Sequence, residues 1–108
     1  MRIILGRLAE NVYANVEKTE DDLELANAIE QYLTDKGWKS FWLSEGLNHD
    51  YALLLIGETK HEGIFLWLSP TGLYIIDIEN ISENPVVAQA FAYMVANFFW
   101  HADASRWP

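Results

Sequence analysis

Four short apolar runs follow one another between residues 39 and 78, and turn-forming residues separate them. Runs of this length, bounded by Gly, Pro, Ser and Asn, predict β-strands. Because the connections are short, we expect the strands to form an antiparallel meander. The four predicted strands are Lys39–Leu43, Tyr51–Ile56, Ile64–Leu68 and Leu73–Ile78.

The second and fourth of these strands differ in their pattern. Leu53 to Ile56 is apolar on both faces, which predicts a central strand covered on both sides. The fourth strand leads into Asp77 and Glu79 among isoleucines, which predicts an edge or half-exposed strand with both carboxylates on one face.

A helix is predicted before the meander, over about residues 20–36. It begins at Thr19-Glu20-Asp21-Asp22, where the Thr19 hydroxyl is expected to accept a hydrogen bond from a backbone amide of the first turn. Gly37 is expected to end it in the left-handed conformation.

A second helix is predicted after the meander. Asn84 is its expected N-cap and Pro85 its first residue, and the apolar pattern continues to about Trp100 or His101. The first residues of the chain, Met1–Arg7, are interpreted as a strand, while residues 8–17 fit helical and extended spacing equally well.

These elements predict an α+β fold in the order (β)-α-β-β-β-β-α. An antiparallel sheet of four or five strands would pack against two helices. The 108 residues contain no repeat and no Pro/Ser-rich linker, so we expect one globular domain over residues 1–108.

The net charge of the chain indicates which classes of partner it can bind. Sixteen acidic residues stand against seven Lys and Arg, giving a net charge of −9. Such a chain repels phosphate backbones, so we expect no direct binding to nucleic acid. The chain has no cysteine and no apolar run of membrane-spanning length, which favours a cytoplasmic protein without a membrane partner.

Patterns typical of catalysis are sparse. There is no cysteine nucleophile and no Gly-x-Ser-x-Gly motif, and His49 and His61 are expected at opposite ends of one strand. Three histidines near a carboxylate are candidate metal or acid–base groups: His49-Asp50, His61-Glu62 and His101 with Asp103. A carboxylate pair at Asp77 and Glu79, together with a histidine, is a further acid–base arrangement. We expect a protein that is not an enzyme and that holds no metal or cofactor.

Two surfaces are candidates for protein binding. The first is acidic and follows the first predicted helix, where it would either bind a basic partner or be merely solvated. The second is the aromatic C-terminal part of the chain, which would either mediate self-association or be covered within one subunit. The acidic candidates are Glu17, Glu20, Asp21, Glu24, Glu30 and Asp35, and the self-association candidates are Tyr93, Phe98, Phe99, Trp100 and Trp107.

Two hypotheses of function follow. In the first, the chain is a small acidic inhibitor, similar in action to an immunity protein or to a phage-encoded inhibitor of nucleic-acid-handling machinery, and occupies a basic surface of a protein. In the second, it is a homodimeric chaperone or scaffold component that uses its C-terminal apolar helix as the interface.

Overall fold

The computed structural model describes residues 1–43, 51–59, 62–97 and 100–101. Within them, three α-helices and one 3₁₀ helix accompany a six-stranded sheet of order β1-β5-β4-β3-β2-β6. The strands are β1 (Arg2–Leu5), β2 (Lys39–Leu43), β3 (Tyr51–Ile56), β4 (Gly63–Ser69), β5 (Gly72–Asp77) and β6 (Trp100–His101). The helices are α1 (Arg7–Asn15), α2 (Asp22–Thr34), the 3₁₀ helix Ile78–Glu83 and α3 (Pro85–Asn97).

The α+β class and the meander are confirmed, since β2 to β5 pair antiparallel in chain order. The purely antiparallel sheet is wrong, because β1 pairs with β5 in parallel. The prediction of two helices is also wrong, because the described chain has four. Most of the undecided segment 8–17 lies in α1, which buries Ala9 and Val12.

The position of β5 corrects a second expectation. All six of its residues are buried, because helices cover both faces of the sheet, and β4 pairs with one edge of β5 and β1 with the other. It is therefore not an edge strand. The central position predicted for β3 is confirmed, since it lies between β4 and β2.

The ends of α2 are set by short-range hydrogen bonds. Asp21, and not Thr19 as predicted, is the N-cap, and its Oδ1 accepts from the amides of Leu23 (2.9 Å) and Glu24 (3.4 Å). At the other end Gly37 has a φ of 95°, and its amide donates to the carbonyl of Thr34. Gly37 thus ends the helix in the left-handed conformation, as predicted.

The N-cap of α3 is Asn84, as predicted. Its Oδ1 accepts from the amides of Val86 (3.0 Å) and Val87 (3.3 Å). The predicted C-terminal boundary is wrong: the helix ends at Asn97, and Trp100–His101 forms β6, which pairs antiparallel with β2.

Helices cover both faces of the sheet, so the core has two parts. On one face α1 and α2 pack on the sheet, with Leu25 and Ile29 fully buried. On the other face α3 and the 3₁₀ helix pack on the sheet around Phe65, whose ring meets the Phe91 ring edge-on at 5.0 Å. The middle of the sheet is therefore apolar on both faces, which explains the nearly continuous apolar runs of β4 and β5.

In the described part of the chain, no helix is long and apolar enough to cross a membrane.

Candidate functional site

Asp77 lies at the end of β5, where its carboxylate meets the first turn of α1. Its Oδ1 accepts from the amide of Ala9 at 2.7 Å, and its Oδ2 accepts from the amide of Leu8 at 3.0 Å. The residue before the helix, Gly6, has no side chain to cap it. Asp77 therefore caps α1 from 68 and 69 residues away in the sequence.

Burial sets the protonation behaviour of this carboxyl. Removal from water raises the pKa of Asp77 above its ordinary value, and the two amide hydrogen bonds from α1 oppose that rise. The negative charges of Glu79 and Glu10 also raise the pKa. Because both oxygens are already hydrogen-bonded to α1, the geometry gives Asp77 a structural role.

Glu79 does not share a strand face with Asp77, so that prediction is wrong. The strand ends at Asp77, and Glu79 lies exposed in the 3₁₀ helix. Both residues nevertheless border one open cleft of about 340 Å³. The cleft is lined by Arg7, Leu8, Asn11, Glu62, Gly63, Asp77 and Glu79.

The histidine side chains weighed for acid–base or metal chemistry, His49, His61 and His101, lie outside the described residues. Among the residues that the structure describes, no group of three or more His, Cys, Asp or Glu is placed to hold a metal ion.

The acidic candidates come together at the start of α2. Glu17, Glu20, Asp21 and Glu24 are all exposed there, and we call these four residues the acidic end. The carboxylate of Asp21 caps α2, whereas the carboxylates of Glu17, Glu20 and Glu24 have no capping role. Negative charge at this position also stabilises α2, because it faces the positive end of the helix dipole.

Nearby cations have other contacts. The guanidinium of Arg2 forms an ion pair with Asp22, with 2.8 Å between Nε and Oδ1, and also donates to the carbonyl of Thr19. The Lys18 ammonium lies 4.6 Å from the centre of the Tyr13 ring and donates to the carbonyl of Val16. In the structure these two cations thus contact groups other than the carboxylates of the acidic end.

The other two acidic candidates lie elsewhere. Glu30 is only 6% exposed, and its Oε2 accepts a 2.8 Å hydrogen bond from the Ser40 hydroxyl on β2. It was expected on the solvated side of the helix, but it follows Ile29 on the side that packs against the sheet. Asp35 is exposed at the opposite end of α2, about 20 Å away along 13 residues.

The contact between Glu30 and Ser40 gives a first prediction. We expect Ser40→Ala to lower the free energy of unfolding by about 1.5 kcal/mol, because a buried carboxylate loses a hydrogen-bond donor. Denaturant unfolding measures the change. Thr34→Ala is the control, since the Thr34 hydroxyl donates only to the carbonyl of Gln31 in its own helix. Equal losses in the two variants would contradict the prediction.

The self-association candidates are only partly described. Tyr93 lies on α3 and its side chain is exposed. The side chains of Phe98, Phe99, Trp100 and Trp107 lie outside the described residues.

The capping role of Asp77 was missed by the sequence analysis. One signal was present: the apolar spacing of residues 8–16 follows Gly6-Arg7 and no Ser, Thr, Asp or Asn precedes it. A helix without a local cap needs a partner for its first amides from elsewhere in the chain.

Comparisons with protein-family models, with curated proteins and with solved structures found no match to this chain. The fold and the net charge define an acidic α+β protein.

Proposed function

We propose that this chain is a small protein-binding inhibitor that occupies a basic surface of a protein partner through the acidic end. Its mode of action would be that of an immunity protein or of an inhibitor of nucleic-acid-handling machinery. The observation that carries the proposal is the exposure of Glu17, Glu20, Asp21 and Glu24 within eight residues, while Arg2 and Lys18 make other contacts.

Electrostatics explains how such a surface would work. The carboxylates of the acidic end, in a protein of net charge −9, produce a negative potential that extends toward an approaching basic protein. This potential raises the association rate, and salt reduces it by screening. The exposed carboxylates also present negative charge where the partner would otherwise meet phosphates.

The geometry of Asp77 gives little support to an enzymatic function. Its oxygens accept hydrogen bonds from α1, and Glu79 stands on a different element. The binding proposal needs no reactive group and uses only exposed carboxylates.

The experiment that tests the proposal begins with capture of partners from a lysate of the native host, at low and at high salt. We expect a basic protein to be retained at low salt and released at high salt. Failure to retain any basic protein would overturn the proposal. Nucleic acid is assayed alongside, and its retention without protein would also overturn it.

A pair of variants then tests the surface. Glu17, Glu20 and Glu24 are changed to Lys together, and Asp21 is kept because it caps α2. The control changes Glu58, Glu79 and Glu83 to Lys, which alters the net charge by the same amount at exposed positions away from the acidic end.

We expect the first variant to associate with the captured protein at least about tenfold more slowly and with a flatter salt dependence. The control variant should keep most of the rate. Stopped-flow or surface-based kinetics gives both rates. Equal slowing in the two variants would show that net charge alone acts and would exclude the acidic end as the binding surface.

A further inference from the structure

Strand β1 forms one edge of the sheet. It is the terminal strand of the sheet order, and within the described residues no strand lies beyond it. Burial changes between β5 and β1, because all six residues of β5 are buried, whereas all four residues of β1 are only half-buried. The outer side of β1 is therefore an open edge of the sheet.

The pairing of β1 with β5 decides which backbone groups point to this edge. The carbonyl of Met1 accepts a hydrogen bond from β5. In a parallel pair, alternate residues of a strand turn their backbone groups toward the partner strand, so Ile3 and Leu5 also bond to β5. The amides and carbonyls of Arg2 and Ile4 point to the open edge instead. Of the backbone hydrogen bonds found outside the helices and strands of the described chain, none involves Arg2 or Ile4.

This edge lacks the features that commonly prevent a strand from pairing with another chain. Such features are a proline, an inward-pointing charge or a bulge. The segment Arg2–Leu5 contains no proline and pairs with β5 in continuous register. Its one charged side chain, Arg2, forms an ion pair with Asp22. The strand thus presents a regular edge with two amides and two carbonyls available to another strand.

The two sides of this edge differ in chemistry. Ile4 packs against the core under α1 and α2, and Arg2, on the same side of the sheet, reaches Asp22 at the start of α2. The acidic end therefore lies next to β1 on this side. On the opposite side, Ile3 and Leu5 pack against the core under α3.

An open cleft of about 520 Å³ joins the start of β1 to the acidic end. Glu20 of the acidic end lines this cleft together with Met1 and Arg2. Lys18 also lines it, but its ammonium contacts the Tyr13 ring. A basic side chain placed beside β1 could therefore reach the carboxylate of Glu20 through the cleft.

We propose that the partner adds a strand to the open edge of β1, through an extended segment in which Lys or Arg alternates with apolar residues. Backbone donors and acceptors at strand spacing select an extended chain. Successive side chains of that chain point to opposite sides of the sheet. Those on the side of α1 and α2 meet the acidic end, and the others lie beside Ile3 and Leu5.

This inference rests on the proposed function, because the acidic end sets the basic character of the added segment. The net charge of −9 opposes a second copy of this chain in the same position. The occupant is therefore a segment of the basic partner.

A short synthetic peptide of alternating Lys and Val tests the backbone contacts. Two derivatives carry a methyl group on the backbone nitrogen, one at every Lys and the other at every Val. An added strand turns only one of these two sets of amides toward β1. We expect one derivative to bind at least about tenfold more weakly than the other, as measured by fluorescence anisotropy. Similar affinities of the two derivatives, or no binding of the parent peptide, would overturn the proposal.

Nuclear magnetic resonance locates the bound peptide on the native chain. We expect shifts of the Arg2 and Ile4 amides and slower hydrogen exchange of the Ile4 amide, because it gains an acceptor. Shifts confined to the acidic end would overturn the added strand.

Ile4→Pro removes the outward amide, and Ile4→Ala is the matched control. Both variants lose the Ile4 side chain, but only the first loses the backbone donor. Proline is tolerated on an edge strand when its nitrogen faces away from the sheet. We expect Ile4→Pro to bind the parent peptide and the captured partner at least about tenfold more weakly than Ile4→Ala does. Circular dichroism checks that both variants fold, and equal affinities would overturn the proposal.

The variant in which Glu17, Glu20 and Glu24 are changed to Lys separates this inference from the proposed function. If that variant loses the captured partner and Ile4→Pro binds it as Ile4→Ala does, the acidic end acts alone and the added strand is overturned. If no basic protein is captured, the proposed function fails, and the two methylated peptides still decide whether β1 accepts a strand.

Discussion

Asp77→Ala should lower the free energy of unfolding by about 2 kcal/mol. The substitution removes the acceptors for the amides of Leu8 and Ala9, which open α1. Loss of a cap costs about 1 kcal/mol, and a buried amide left without a partner adds a similar amount. Equilibrium denaturant unfolding at fixed protein concentration measures the change.

Glu79→Ala is the matched control. Glu79 lies two residues further along the chain, carries the same charge and is exposed in the 3₁₀ helix. Its removal should change stability by less than about 0.5 kcal/mol. Similar losses for the two variants would mean that the capping of α1 is not the cause.

The burial of Asp77 also predicts that the loss of stability in Asp77→Ala depends on pH. Burial raises the pKa of Asp77 above its ordinary value of 3.8, so the folded protein binds this proton more tightly than the unfolded chain does. The contribution of Asp77 to the free energy of unfolding therefore falls as the pH rises from 3.8 to the raised value, and is constant above it. The difference in stability between the native chain and Asp77→Ala should shrink across that interval. A difference that grows with pH would contradict the direction.

Much of the local structure follows from short-range patterns. The amide cap at Asn84 and the left-handed Gly37 each depend on a few neighbouring residues, and both are placed as predicted. The strands of the meander follow because short apolar runs and the turn residues between them act within a single hairpin.

The misplaced elements depend on contacts between distant parts of the chain. The parallel pairing of β1 with β5 joins residues about 70 positions apart, and no local pattern records it. The sequence pattern placed Asp77 on an edge strand as a polar residue. Its carboxylate instead accepts hydrogen bonds from α1, a segment that the sequence left open between helix and strand. Tertiary contacts therefore decide both the position of β5 and the role of its last residue.

The acidic surface was only partly predictable for a related reason. Glu17, Glu20, Asp21 and Glu24 precede or open a helix, where carboxylates are favoured and exposed, and the structure places them together. Glu30 has the same chemistry, but the rotation of α2 on the sheet points it at Ser40. The number of charged residues could be counted from the sequence. Whether each charged side chain faces the solvent or the sheet depends on packing.

Gly72→Ala should lower the free energy of unfolding by about 3 kcal/mol, more than Asp77→Ala does. Gly72 has a φ of 153°, which side chains rarely adopt, and an added Cβ would overlap the carbonyl oxygen of Met1. That carbonyl accepts a 3.0 Å hydrogen bond from the amide of Leu73 on β5, next to Arg2, the first residue of β1 that pairs with β5. The substitution therefore strains the turn and pushes β1 away from β5.

Two measurements separate these effects from a general loss of stability. Thr71→Ala, in the same turn but exposed, should change stability by less than about 1 kcal/mol. Hydrogen exchange in Gly72→Ala should show faster exchange at Leu73 and along β1, with protection kept between β3 and β4. Uniform loss of protection would contradict a local origin. Retained protection at Leu73 would mean that the pairing of β1 with β5 does not depend on the close contact between Gly72 and the carbonyl of Met1.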